Sequence, residues 1–358
     1  MLGYNLVFLT SLIWIFSSKK NFSFSIKLFL NSLLIILLSI FIGLRHEVGG
    51  DWNNYKLSYS YLSNQNLAEF LNAKENINEI GFKFLIFLSS KISSNYYFHI
   101  TNSVCAVIFV TSFIYFISKF PYKSILFFFS IPYLIIVVSM GYTRQSVAIG
   151  FLFLSLLYLN KNQNYKSFLL ILLGSLFHKT LIFALLILII KNIKLIKLKT
   201  YIFPIIILFI IIFFYFSMLQ QLVINFLSED KIETFGARLR LFINFMFSIL
   251  YLLIRNNWDN NFFDRKIIDI CAILMFAFFI TSFIWEGPIV SAFDRLSIYL
   301  YPVNLIIISN FFYRISSNNT KIFFCLLLII LSYLFFIIWA NYGDYSHFWF
   351  PYKNIIIK

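Results

Sequence analysis

Long apolar runs separated by short polar clusters make up most of this chain. Asn31–Leu44, Ser124–Met140, Tyr201–Leu219, Ile267–Ile284 and Ile322–Ala340 each approach the ~20 residues with which an α-helix crosses a bilayer core. With the weaker runs added, the pattern predicts helices at about 3–18, 24–44, 98–118, 122–140, 144–160, 165–178, 179–191, 200–219, 240–255, 266–285, 295–313 and 321–340, roughly twelve crossings. The first run has no basic leader and no small-residue cleavage site, so it is expected to remain as a helix. The fold class is all-α: a polytopic helical bundle forming one membrane domain over 1–358.

Two places are ambiguous by hydropathy alone. Residues 81–94 are apolar but short and carry Lys83 and Lys91, so they read as an interfacial or re-entrant segment. Residues 167–190 read as two short helices with a break at Phe177–Lys179. A break at membrane depth needs its freed backbone groups satisfied by protein or water, which is why such breaks line cavities.

Composition agrees with the membrane reading. Hydrophobic residues make up 61% of the chain, charged residues 12%, and mean hydropathy is +0.85, against about 25% charged residues in a soluble domain. Cys105, Cys271 and Cys325 lie in apolar stretches without paired spacing and read as buried thiols. The net charge of +15 would suit nucleic acid, but its distribution points elsewhere. Alternate connections hold Lys19, Lys20, Lys27, Lys119, Lys123, Lys161, Lys166, Lys191, Lys194, Lys197, Lys199, Arg255, Arg265, Lys266, Arg314 and Lys321 against only Asp259, Asp264 and Asp269. Under the positive-inside rule that face is cytoplasmic. Both termini and the longest polar connections, 45–80 and 220–239, are then outside, and no nucleic-acid partner is expected. The cytoplasmic connections are too short for an enzymatic domain, so any chemistry belongs at the outer face or within the membrane.

The stretch Gly43–Tyr59 reads GLRHEVGGDWNNYKLSY and sets Arg45, Glu47, Asp51 and Tyr55 around Gly49–Gly50. Glycines there let the backbone turn tightly and approach a ligand closely; an ordinary polar loop is the plain alternative. Arg144 opens a helix in MGYTRQSVAIGF. It could simply snorkel, yet the chain uses Lys far more than Arg, and a planar fork of donors suits phosphate or carboxylate. Arg45, Arg144, Arg238, Arg240 and Arg295 are the outer arginines, and a cluster of them would hold an anionic head group such as a pyrophosphate. His178 stands alone in LLGSLFHKTLIF; a neutral imidazole takes a proton from a hydroxyl near physiological pH, and ionisable side chains within a membrane segment are expensive. His46, His99 and His347 are weaker candidates. Glu286, Asp294 and Arg295 sit in WEGPIVSAFDRLSIYL, where Asp294–Arg295 is either an interfacial pair or a second arginine aimed at the site. Glu229, Asp230 and Glu233 with Arg238 and Arg240 look like a solvated loop over it. Tyr55, Tyr59, Tyr142 and Trp285 could stack on sugar rings. No HExxH, CxxC, DxD or GxxxxGK pattern is present, so neither a metal nor a nucleotide cofactor is expected.

Taken in order, these motifs resemble the EpsG/Wzy group of bacterial polysaccharide polymerases. The R-x-x-V-G-x-D-x-x-x-Y element is matched position for position by Arg45, Val48, Gly49, Asp51 and Tyr55. R-Q-x-x-A is matched by Arg144, Gln145 and Ala148, F-H-K/S by Phe177, His178 and Lys179, and D-R-x-x-x-Y by Asp294, Arg295 and Tyr299. The tail and the 220–239 loop match no motif. The resemblance implies a GT-C-like, metal-independent glycosyltransferase in the bacterial inner membrane. It would join undecaprenyl-diphosphate-linked oligosaccharide units at the outer face, alongside a flippase and a chain-length regulator. It makes His178 or Asp51 the base, Arg45, Arg144 and Arg295 the charge-stabilising groups, and Gln145, Lys179, Arg238, Arg240, Asp294, Glu47, Tyr55 and Tyr142 substrate-binding. The rivals are an O-antigen ligase, which carries one large outer loop; a lipid-linked oligosaccharide flippase, which should show duplicated halves; and a membrane acyltransferase, which leaves the arginine motifs unexplained.

Overall fold

The computed structural model describes residues 2–17, 22–56, 79–193 and 236–356. Among these residues every regular element is helical, and strand pairing is confined to an isolated bridge between Arg45 and Asn354. In chain order the helices are α1 (Leu2–Ser17), α2 (Phe24–Gly43), α3 (Ile80–Ile92), α4 (Tyr97–Ile117), α5 (Lys123–Ser130), α6 (Thr143–Asn160), α7 (Asn164–Ser175), α8 (Leu185–Asn192), α9 (Ala237–Ile254), α10 (Arg265–Ile284), α11 (Pro288–Ser297), α12 (Tyr301–Arg314) and α13 (Asn318–Tyr342). A helical turn at 52–56 precedes α3.

Among the described residues seven stretches are long and apolar enough to cross a membrane: Phe24–Gly43, Tyr97–Ile117, Lys123–Gly141, Ala237–Asn257, Arg265–Ile284, Ile289–Arg314 and Asn318–Tyr342. The hydropathy pattern predicts more because it counts shorter pieces. α1, α7 and α8 have only 16, 12 and 8 residues, and α6 opens on Thr143, Arg144, Gln145 and Ser146, which dilute its hydropathy. The helix expected at 200–219 lies outside the described residues. The doubtful 81–94 segment is the 13-residue α3, too short for a full crossing; its Lys83 is buried. The break at Phe177–Lys179 is present: α7 ends at Ser175, and a 3-10 helix, Lys179–Ala184, leads into α8. Cys105 and Cys271 are buried, whereas Cys325 is only half-buried.

The chain forms two compact units, one of Met1–Phe153, Leu173–His178 and Phe312–Lys358, the other of Leu154–Leu172 and Lys179–Phe311. In the first, α2 runs along α4, and α1 and α13 lie against α5. The run expected as one helix at 122–140 changes pitch: α5 passes into a π-helix over Ile131–Val138 and returns to α over Ser139–Gly141. Pro132 opens the π segment; it brings no N–H, and its ring clashes with a carbonyl of the preceding turn. A carbonyl of the widened turn, that of Ile136, accepts the Trp349 indole N–H at 3.1 Å.

Trp349 anchors the C-terminal tail. Its carbonyl accepts the Tyr4 hydroxyl at 2.5 Å, and its ring lies over Gly50 and Gly141. The tail then pairs with the polar stretch after α2. Gly49 N–H donates to Phe348 O (2.8 Å), His46 N–H to Lys353 O (2.9 Å) and Ile355 N–H to Leu44 O (3.0 Å). Gly49 sits at φ +113°, with the space for a Cβ closed by the Met140 carbonyl, so a side chain is excluded both by conformation and by contact. Glu47 and Lys353 form an exposed ion pair at 2.9 Å. Away from this end, the Lys321 ammonium lies 5.7 Å over the Tyr122 ring, which meets Phe312 at 5.8 Å.

In the second unit α9 and α10 pack through Phe242, Phe245, Phe276 and Phe279, and α11 lies on both. Lys191, counted above only as a marker of orientation, is 7% exposed. Its ammonium donates to Leu159 O and to Asn162 Oδ1 (3.0 Å) and pairs with Asp264 at 2.9 Å. It therefore ties three connections together.

Trp349→Ala should remove about 3–5 kcal/mol and lower the melting temperature in detergent; an unchanged midpoint would refute the anchoring role. The hydrogen bond from Lys353 holds the Glu47 carboxyl below its usual range. Its small stabilisation is therefore complete above the unfolded value of about 4.3 and fades as pH falls through the lower folded value. The melting difference between wild type and Glu47→Gln should accordingly close on acidification below about pH 4.

Candidate functional site

The first unit assembles its site where α2, the 52–56 turn, α3, α6 and the end of α7 meet. α2 ends at Gly43, and Arg45 turns inward, 1% exposed. Its guanidinium donates to Ile42 O (2.5 Å), Val48 O (3.1 Å) and Thr143 Oγ1 (2.7 Å). Arg45 is thus a staple between the glycine turn and the start of α6, its donors spent on the protein. His46 pairs with His99, ring nitrogen to ring nitrogen, at 3.3 Å, beside Trp52. Glu47 faces Lys353, at the surface. Asp51 is half-buried and opens the helical turn that carries Tyr55. Tyr55 is 3% exposed; burial first, then the Asp51 charge, push its phenol well above the ordinary range, so it stays protonated.

Arg144, in the first turn of α6, lies 5.5 Å over the Tyr55 ring and donates from Nε to the Tyr55 hydroxyl at 3.4 Å. Its Nη1 donates to Glu79 Oε2 at 2.6 Å. The other carboxylate oxygen, Oε1, lies 3.9 Å from His178 Nδ1. Side-chain exposure is 5% for Glu79, 22% for Arg144 and 19% for His178, so a buried carboxylate stands between two partly open cationic or basic groups. Backbone contact fixes this: Gly81 N–H donates to Leu176 O at 2.9 Å, and a Cβ on Gly81 would meet Leu176 Cβ at 2.9 Å. Tyr142 is half-buried and Gln145 buried in the same region of the chain.

Glu79 is absent from the candidates drawn from the sequence, which leave it in the 45–80 loop. The available signal is its position, the last acid before a short apolar segment.

The second unit holds the remaining candidates. Arg240 binds Asp294 through two parallel bonds of 2.8 and 2.6 Å, and Asp294 is 5% exposed. Asp294 thus pairs with an arginine of α9, and its neighbour Arg295 is exposed. Arg238 is largely exposed and faces Glu286 at 3.8 Å. Tyr299 and Thr180 share a buried hydrogen bond of 2.8 Å, and Lys179 opens the 3-10 helix half-buried. Of the outer arginines, then, Arg45 and Arg144 belong to the first unit, and Arg238, Arg240 and Arg295 to the second. The loop residues Glu229, Asp230 and Glu233 lie outside the described residues.

The described residues, all-helical in their regular elements and holding seven helices long and apolar enough to span a bilayer, fit a multi-pass membrane protein. The chain belongs to the EpsG family, whose model matches residues 27–354. Membership suggests a membrane polysaccharide polymerase. The match runs through the 220–239 loop and into the tail, both without a recognised motif in the sequence reading. Searches of curated proteins and of solved structures find no match.

Thr180→Val removes the buried hydrogen bond to Tyr299 and should cost about 1–3 kcal/mol, and Tyr299→Phe should cost less on that background than on its own. A double-mutant cycle read by thermal unfolding checks the pair; additive losses would show that the two hydroxyls are not coupled.

Proposed function

We propose that the chain is a repeat-unit polymerase, a metal-independent glycosyltransferase that joins undecaprenyl-diphosphate-linked oligosaccharides at the outer face of the bacterial inner membrane. The observation that carries the reading is the Arg144–Glu79–His178 cluster in an EpsG-family chain with apolar spans. An arginine with a partly open guanidinium suits a diphosphate, and an imidazole suits a sugar hydroxyl. The GT-C-like, roughly twelve-span arrangement and the outward termini belong to the same proposal, as do a flippase and a chain-length regulator as partners.

In the step proposed, the acceptor hydroxyl oxygen attacks the anomeric carbon of the donor sugar while its proton passes to His178. A new glycosidic C–O bond forms, and the C–O bond to the diphosphate breaks with its electron pair. Arginine N–H groups stabilise the charge gathering on the departing undecaprenyl diphosphate. His178 then returns its proton to water. The reading takes His178 over Asp51 as base because His178 lies beside the carboxylate that pairs with Arg144, whereas Asp51 opens the turn that carries buried Tyr55.

Purified protein in liposomes, given lipid-diphosphate-linked repeat units and no nucleotide, should yield a ladder of products on the diphosphate lipid. His178→Ala and Arg144→Ala should each lower the rate by about 100-fold or more while still inserting in membranes. Long chains of normal abundance from both variants would sink the assignment.

A further inference from the structure

We infer that Glu79 is the positioning residue of this site, holding Arg144 through one carboxylate oxygen and orienting His178 through the other. The inference rests on the polymerase reading and adds to it a residue that belongs to none of the recognised motifs.

The geometry is specific. A carboxylate 5% exposed must be matched by charge or hydrogen bonds, and the 2.6 Å contact with Arg144 Nη1 satisfies Oε2. Oε1 lies on the imidazole side, 3.9 Å from Nδ1, and a movement of about 1 Å brings it within hydrogen-bond range. An Nδ1–H donated to a carboxylate makes Nε2 the basic nitrogen and fixes the ring plane. Glu79 lies two residues before Gly81 and His178 two residues after Leu176, so the Gly81–Leu176 hydrogen bond registers both side chains at once. A merely solvated loop acid would need no such stitch. The charged and titratable groups around the pair are Arg144 and Tyr55, with Asp51 beside Tyr55, Lys83 one turn along α3, and Lys179 next in sequence.

The same carboxylate couples donor to base. In the structure it occupies one Arg144 donor. Its other oxygen faces His178, so one side chain sets the position of both the group proposed to hold the diphosphate and the group proposed as base.

Glu79→Gln and Glu79→Asp, assayed in liposomes with lipid-diphosphate-linked repeat units, test this. Glu79→Gln should lower kcat about 10-fold or more with a much smaller change in KM for the donor. Its acid limb should move to lower pH, because an imidazolium that has lost a carboxylate neighbour gives up its proton more readily. Glu79→Asp should recover part of the rate. NMR of labelled histidine in the purified protein gives a readout independent of turnover: the His178 titration should move to lower pH in Glu79→Gln. Wild-type kcat and an unmoved titration in that variant would overturn the inference, and so would a loss that Glu79→Asp does not relieve with the pH profile unchanged. A wild-type protein that makes no ladder would instead overturn the polymerase reading, while the NMR titration still decides the contact.

Discussion

A charged group that leaves water in so apolar a chain has only protein to bond with, and the polar ends of its helices are organised by that constraint. Arg45 meets it with backbone carbonyls and a threonine hydroxyl, Glu79 with Arg144, Lys191 with Asp264 and two further acceptors, Asp294 with Arg240. Each of these partnerships joins segments far apart in sequence, so each also sets the spacing of the elements that carry it. For the two buried carboxylates, Glu79 and Asp294, removing the arginine strips away the charge that matches them, about 3–5 kcal/mol. The partnerships also fall where helices stop. A helix end frees carbonyls and N–H groups, and Arg45, just past the end of α2, takes up the Ile42 carbonyl there.

Much of this was legible in the sequence, and the reason is periodic hydropathy. The expected helices at 24–44, 98–118 and 266–285 differ from α2, α4 and α10 by a residue or so at each end. The break expected at Phe177–Lys179 is also where the regular α-helix stops. Two kinds of feature were not legible. Hydropathy does not distinguish a π-helix from an α-helix, so the widening over Ile131–Val138 left no trace beyond Pro132. Polar pairings across long separations have no period at all: Glu79 lies 65 positions from Arg144, and Trp349 is 213 from the carbonyl it reaches. The tail therefore read as an unmatched end, although its backbone closes onto the glycine turn at several points.

The motif residues divide accordingly into those buried in the fold and those that keep some exposure. Arg45 heads the first motif, yet its guanidinium is spoken for and buried. In the second unit, Asp294 and Tyr299 of the D-R-x-x-x-Y element bind Arg240 and Thr180, while Arg295 between them stays exposed. A recurrent residue type in an ordered motif therefore says that the position matters, not that it touches a substrate. Burial separates the two roles.

Arg144 belongs to the open group, and its partner sets what can bind there. Any ligand that takes its guanidinium must displace or share a carboxylate already bound at 2.6 Å. A neutral sugar chain offers no charge with which to do so. A diphosphate spreads more negative charge over more acceptor oxygens than a carboxylate does and can engage the planar fork at two points. If the proposed reaction holds, competition with Glu79 biases the position toward the charged end of the lipid-linked donor and against the neutral polymer. In the proposed reaction that bias favours a donor at the start of each cycle and does nothing to retain the sugar chain once it has been transferred.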